Sequence, residues 1–190
     1  EVHPSGYNYG LTDDAFIGRE IPVCSVVGDQ QAALYGQGCF SAGSAKVTYG
    51  TGLFMLFNTG EKFAKSKSGL ISAIAFRTGK KTVYALEGSV FNAGTAVQWL
   101  RDKLGVITTA AESEALAKSV PSSDGVCFVP AFTGLGAPHW KSDSMGLITG
   151  LTRGSTKAHI VRAALESMAF SARQLIELME NESGAKLKVI

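Results

Sequence analysis

The stretch Ala45-Lys46-Val47-Thr48-Tyr49-Gly50-Thr51-Gly52-Leu53-Phe54-Met55-Leu56-Phe57-Asn58 decides the fold class. Two runs rich in aromatic and aliphatic residues flank Gly-Thr-Gly, a pattern that reads as two strands, Ala45–Tyr49 and Leu53–Asn58, joined by a tight turn. Glycines on either side of a hydroxyl also expose backbone N–H groups, and such a nest suits a phosphate. A plain hairpin turn and a phosphate loop are both consistent with these residues. Neither GxxxxGK[ST] nor GxGxxG occurs in the chain.

Working outward, further strands are expected at Ile21–Val27, Leu70–Phe76, Thr82–Glu87, Val126–Phe132, Gly146–Leu151 and Lys186–Ile190. One helix is expected from near Ser89, where Val90, Ala93, Val97, Leu100 and Leu104 recur at steps of three and four before Gly105. A second runs from about Thr109 to Lys118. The longest covers Lys157 to Asn181, with Val161, Ala164, Leu165, Met168, Leu175 and Met179 on one stripe and Gly184 beyond its end. A shorter helix follows Asp29, and the first 20 residues read as loop. Strands in runs followed by helices predict an α/β fold with a mixed sheet and flanking helices. The unfinished look of Lys186–Ile190, a strand with no terminator, predicts a piece of a longer protein.

Composition narrows the function classes. The chain has 190 residues, 45% of them apolar, enough for a real core. Its 18 Lys+Arg nearly balance 16 Asp+Glu, which argues against a dedicated nucleic-acid binder. No apolar run reaches the roughly 18–20 residues of a membrane span. Cys24, Cys39 and Cys127 have no zinc-type spacing with His3, His139 or His159, and read as buried thiols of a reducing compartment. No metal site is expected. Glycine is abundant, with 22 residues, so the backbone must turn tightly or approach something closely at several points.

Four segments are candidates for chemistry, the fourth being Ala131–Trp140. In Val26-Val27-Gly28-Asp29-Gln30-Gln31 an apolar run ends, a glycine turns the chain, and a carboxylate stands where a helix begins. Asp29 there is either a general base facing a ligand or an N-cap of its own helix. Thr51 is the hydroxyl of the glycine turn. In Glu87-Gly88-Ser89-Val90-Phe91-Asn92-Ala93-Gly94 a strand runs into a helix whose free N–H groups favour an anion. A glycine early in that helix costs about 0.8–1 kcal/mol against alanine, so a neighbouring helix or a ligand is expected close to Gly94. Gln98 lies one turn on, on the same face. Trp140 and His139 read as a loop closing over the core or over a ligand.

Together these segments resemble the FGGY carbohydrate kinases, and within that family the branch that uses glycerol. The resemblance rests on GDQQAALYGQ (Gly28–Gln37), AKVTYGTGLFMLFNTGE (Ala45–Glu61), ALEGSVFNAGTAVQWLRD (Ala85–Asp102), VPAFTGLGAPHW (Val129–Trp140) and GLITGLTRGSTKAHIVRAALE (Gly146–Glu166). It covers about residues 21–190. It implies an actin-like ATPase, ribonuclease-H-like fold that is incomplete here. Residues 1–38 would be the tail of the first, substrate-binding domain, and 39–190 most of the second, nucleotide-binding one. It implies ATP-dependent phosphorylation of glycerol to glycerol 3-phosphate, with ATP and Mg2+ as cofactors, in a cytoplasmic homo-oligomer with no nucleic-acid partner and no membrane span. Asp29 matches the catalytic base, and Asp29, Gln30 and Phe54 match positions that touch glycerol. Thr51, Gly94 and Gln98 match nucleotide contacts. A kinase for another polyol or sugar, or a non-catalytic nucleotide-binding module on the same fold, are the alternatives. The glycine-rich stretch that binds a sugar bisphosphate in some bacterial relatives reads Asp13–Glu20 here, so that control is not expected.

Overall fold

A computed structural model describes all 190 residues. In chain order it contains α1 (Asp14–Ile17), α2 (Asp29–Gly36), β1 (Ala45–Tyr49), β2 (Leu53–Gly60), β3 (Ile71–Thr78), β4 (Lys81–Val90), α3 (Gly94–Asp102), α4 (Glu112–Lys118), β5 (Cys127–Val129), β6 (Leu147–Thr149) and α5 (Lys157–Ser183). Strands β1 to β4 form one sheet in the order β1-β2-β4-β3, every neighbour antiparallel. The expected mixed character is confined to its β1 edge, where Val189 makes a parallel bridge with Ser44. The Lys186–Ile190 segment is therefore a bridge rather than a full strand. β5 and β6 pair separately.

Alternation along the strands divides the sheet into two faces. Ala45, Leu53, Met55, Phe57 and Leu86 point one way and are buried against Ala172, Leu175 and Met179 of α5. Gly88 belongs to that face, and a Cβ on it would lie 2.6 Å from a Leu175 methyl. Its bare backbone lets the helix come down onto the sheet. The other face carries Leu56, Ala75, Val83 and Ala85, covered by Leu34 of α2 and by Cys39. A third cluster joins Ala96 and Leu100 of α3 to Val126, Phe128, and Val161, Ala163 and Ala164 of α5. α5 thus serves two cores. Thr156 and His159 close a reciprocal cap at its start, and Gly184 ends it in the left-handed conformation (φ 71°).

Several expectations need correction. Ile21–Val27 is not a strand. It pairs irregularly with residues 5–12, through bonds such as Tyr9 N to Val23 O (2.8 Å) and Val23 N to Gly10 O (2.8 Å), so the first segment is not free loop either. The helix expected from Ser89 starts five residues later, because Ser89 and Val90 pair with Phe54 and Leu53 and prolong β4. The second helix is shorter than expected, beginning at Glu112. Only Cys39 is buried; Cys24 and Cys127 are exposed thiols. Trp140 is half exposed and donates to the Gly69 carbonyl (2.6 Å), tying its loop to the sheet. No helix is long and apolar enough to cross a membrane.

Candidate functional site

The α2 face of the sheet is apolar at one end and polar at the other. Gly28 takes the N-cap position of α2, and Asp29 is the first helical residue. Of the two readings of Asp29, the N-cap is excluded, because Gly28 holds that position. Asp29 Oδ1 accepts from the Gln30 N–H (2.8 Å) and its Oδ2 from Gln30 Nε2 (3.2 Å). The carboxylate is exposed. The Gln30 amide turns its other end downward, and its Oε1 accepts from the ammonium of Lys46 on β1. The same ammonium donates to Thr48 Oγ1 (2.9 Å).

Register places the rest. Lys46 pairs with Leu56, and Leu56 with Glu87, so lysine and glutamate flank Leu56 on one rung. Thr48 pairs with Phe54, and Phe54 with Ser89, one rung nearer the turn. Lys46 is only 4% exposed. Burial pushes its ammonium pKa down, opposed by the nearby carboxylates of Glu87 and Asp29. Burial likewise pushes the half-buried Glu87 carboxyl up, with Lys46 pulling it back and Asp29 adding to the rise.

At the end of this strip the β1–β2 turn docks on α3. The Thr51 carbonyl accepts from Ala93 N (2.9 Å), Thr95 N (3.3 Å) and Thr95 Oγ1 (3.2 Å), and the Gly50 carbonyl from Gly94 N (3.0 Å). These bonds correct two expectations. The first N–H groups of α3 are occupied by the turn rather than free for an anion. The close neighbour that requires glycine at 94 is the Gly50 carbonyl, 2.5 Å from where a Cβ would sit, and not a helix. The Thr51 side chain is exposed at the tip. Gln98 is exposed one helical turn beyond Gly94.

The structure therefore gathers the candidate residues into two adjacent groups. Asp29, Gln30 and Phe54 belong to the polar end of the α2 face. Thr51 and Gly94 meet at the turn, with Gln98 beside them. Lys46, Thr48 and Glu87 were missed. Parity places Lys46 and Thr48 on the sheet face opposite Ala45 and Val47, but it does not reveal that Lys46 is covered there while Thr48 is exposed.

The model of the FGGY family of carbohydrate kinases, C-terminal domain, matches residues 45–190. This chain belongs to that family. Over its whole length it is 56% identical to the glycerol kinase of Carboxydothermus hydrogenoformans, of which it covers 38%. Among solved structures, Plasmodium falciparum glycerol kinase with ADP superposes with a TM-score of 0.85 at 40% identity, over 97% of this chain and 37% of that one. Xylulose kinase from Rhodospirillum rubrum superposes at 0.77 with 26% identity, over 97% of this chain and 38% of that one. The fold is accordingly the α/β, actin-like ATPase fold of FGGY kinases, present in part. The chain spans less than two fifths of the relatives it matches.

Proposed function

We propose that this chain is the base-bearing, nucleotide-side part of an ATP-dependent glycerol kinase that makes glycerol 3-phosphate. The carrying observation is the continuous strip from the exposed Asp29 carboxylate, through Gln30 and the Thr48–Phe54 rung, to Thr51 at the turn. At roughly 3.3 Å per residue the four steps from Lys46 to Gly50 span about 13 Å. That leaves room along one surface for a small alcohol and the phosphoryl group it receives. The 56% identity to a glycerol kinase supports glycerol as that alcohol.

In this reading Asp29 accepts the proton of a terminal hydroxyl as the oxygen attacks, a recurring part of phosphoryl transfer. Gln30 has both ends of its amide engaged, and its remaining N–H donates to a substrate hydroxyl. Phe54 presses on the carbon edge of the triol. Thr51 presents its hydroxyl and the backbone of the tip to phosphate, with Gly94 and Gln98 beside it. The nucleotide supplies the phosphoryl group, and Mg2+ the neutralisation of its charge. No three His, Cys, Asp or Glu side chains are grouped to hold a metal. That donor set suits an ion carried by phosphates and waters, and Asp29 is the exposed carboxylate of the strip. Residues 1–38 belong to the substrate-binding domain and 39–190 to the nucleotide-binding one, in a cytoplasmic homo-oligomer.

The test is substrate competition. The complete enzyme carrying this segment, assayed with Mg-ATP and glycerol, xylulose or gluconate, is expected to show its highest kcat/KM with glycerol. A preference for the pentulose or the sugar acid would overturn the assignment.

A further inference from the structure

Lys46 is the one charged residue among the buried polar side chains of the chain. It sits at a strand position where an apolar side chain would pack without cost, and a buried ammonium is unfavourable unless its donors are used. Its contacts are Gln30 and Thr48, not a carboxylate. An ammonium can only donate, so the amide atom facing it must be the Gln30 oxygen. The orientation of that amide is thereby fixed, and its NH2 is turned toward Asp29 Oδ2 (3.2 Å) and outward. Without a donor at its oxygen end the glutamine is held by Asp29 alone and loses the second anchor that fixes its side-chain conformation.

We propose that Lys46 is a positioning residue that orients Gln30, and through it the Asp29 carboxylate, for the alcohol that is phosphorylated. The proposal rests on the glycerol kinase reading and adds a residue to it. Thr48 completes the arrangement by holding the ammonium from below, on the rung shared with Phe54. Glu87, across Leu56 on the same rung as Lys46, supplies a compensating charge at a distance. The outcome is a specific division of labour: the lysine acts on the handling of the alcohol and leaves the handling of the nucleotide alone, because Thr51 and Gly94 lie at the turn, beyond the Thr48 rung.

The experiment uses the complete enzyme. Lys46→Met is expected to raise the glycerol KM about tenfold and lower kcat about tenfold, as loss of a hydrogen bond to a charged donor does. The ATP KM should stay within about twofold, whereas a merely structural defect would move both. In a double-mutant cycle, Lys46→Met placed on Gln30→Leu should add little to the single Gln30→Leu effect. Ordinary glycerol kinetics in Lys46→Met, or full additivity with Gln30→Leu, would overturn the proposal. Should Lys46→Met fail to fold, Thr48→Val removes one of the two acceptors more gently. It is expected to raise the glycerol KM about two- to fivefold with the ATP KM unchanged, and an unchanged glycerol KM would overturn the proposal equally. Failure of the kinase reading shows separately, as a lack of glycerol-dependent turnover in the unsubstituted enzyme.

Discussion

The two faces of the four-stranded sheet are built from the same strands and do opposite things. Against α5 the sheet presents Ala45, Met55, Phe57 and Leu86, and the helix answers with Ala172, Leu175 and Met179. Nothing in that layer is charged. Against α2 it presents Leu56, Val83 and Ala85 at one end and Lys46, Thr48, Phe54 and Glu87 toward the turn, under a helix of only eight residues. One face is closed and apolar; the other is half-closed and keeps ionisable groups in a partly dry setting. Under the proposed function, stability rests on the first face and chemistry on the second, so substitutions on the two faces should separate cleanly in what they damage.

The largest expected effect lies on the half-closed face. Asp29→Asn in the complete enzyme should lower kcat by about 10²–10⁴, the range for a general base, with the melting temperature nearly unchanged because the side chain is exposed. A variant that retains ordinary turnover would break the division between faces. Next comes the closed face, where Leu175 is fully buried. Leu175→Ala should cost about 2–5 kcal/mol in denaturant unfolding, while kinetics per folded molecule remain normal. A smaller effect is expected where the two meet at the turn. Gly94→Ala sets a Cβ 2.5 Å from the Gly50 carbonyl, and rigid backbone must shift, at about 1–3 kcal/mol. The accompanying rise should be in the nucleotide KM rather than the glycerol KM, read by steady-state kinetics.

The smallest effect concerns Glu87. Its carboxyl is pushed up by burial, so the folded state holds the proton more tightly than the unfolded chain. A raised folded pKa contributes stability that is present below the ordinary glutamate value and is lost as pH rises through the folded one. The stability of the wild type relative to Glu87→Gln should therefore improve as pH falls into that window. Parallel thermal melts across the acidic range would sharpen the comparison, and a flat difference would remove Glu87 from the polar strip.

The closed face was the more legible of the two. The β1–β2 hairpin and the stripe of α5 follow from period-2 and period-3.6 patterns, which are local properties of the chain. Ser89 and Val90 were misread because their spacing with Ala93 and Val97 mimics a helix, while the pairing that makes them strand comes from Phe54 and Leu53, more than 30 positions away. Tertiary pairing overrode a local period. Ile21–Val27 was misread for the reverse reason, a good local pattern whose partners are too irregular to make a ladder. Asp29, Thr51 and Gly94 stood out by residue type and turn context. Lys46 did not, because a lysine in a strand ordinarily marks the solvated side, and only the position of α2 shows that this one is covered.

The docking of the turn onto α3 makes the hairpin tip and the helix a single mechanical unit. The amides of Ala93, Gly94 and Thr95 are held by carbonyls of Gly50 and Thr51 rather than by water. Their protons should exchange only when the tip lifts. Hydrogen exchange at three backbone positions thus becomes a gauge of how firmly the tip is seated, and a ligand that presses on Thr51 would slow the clock at the head of α3 through the turn itself.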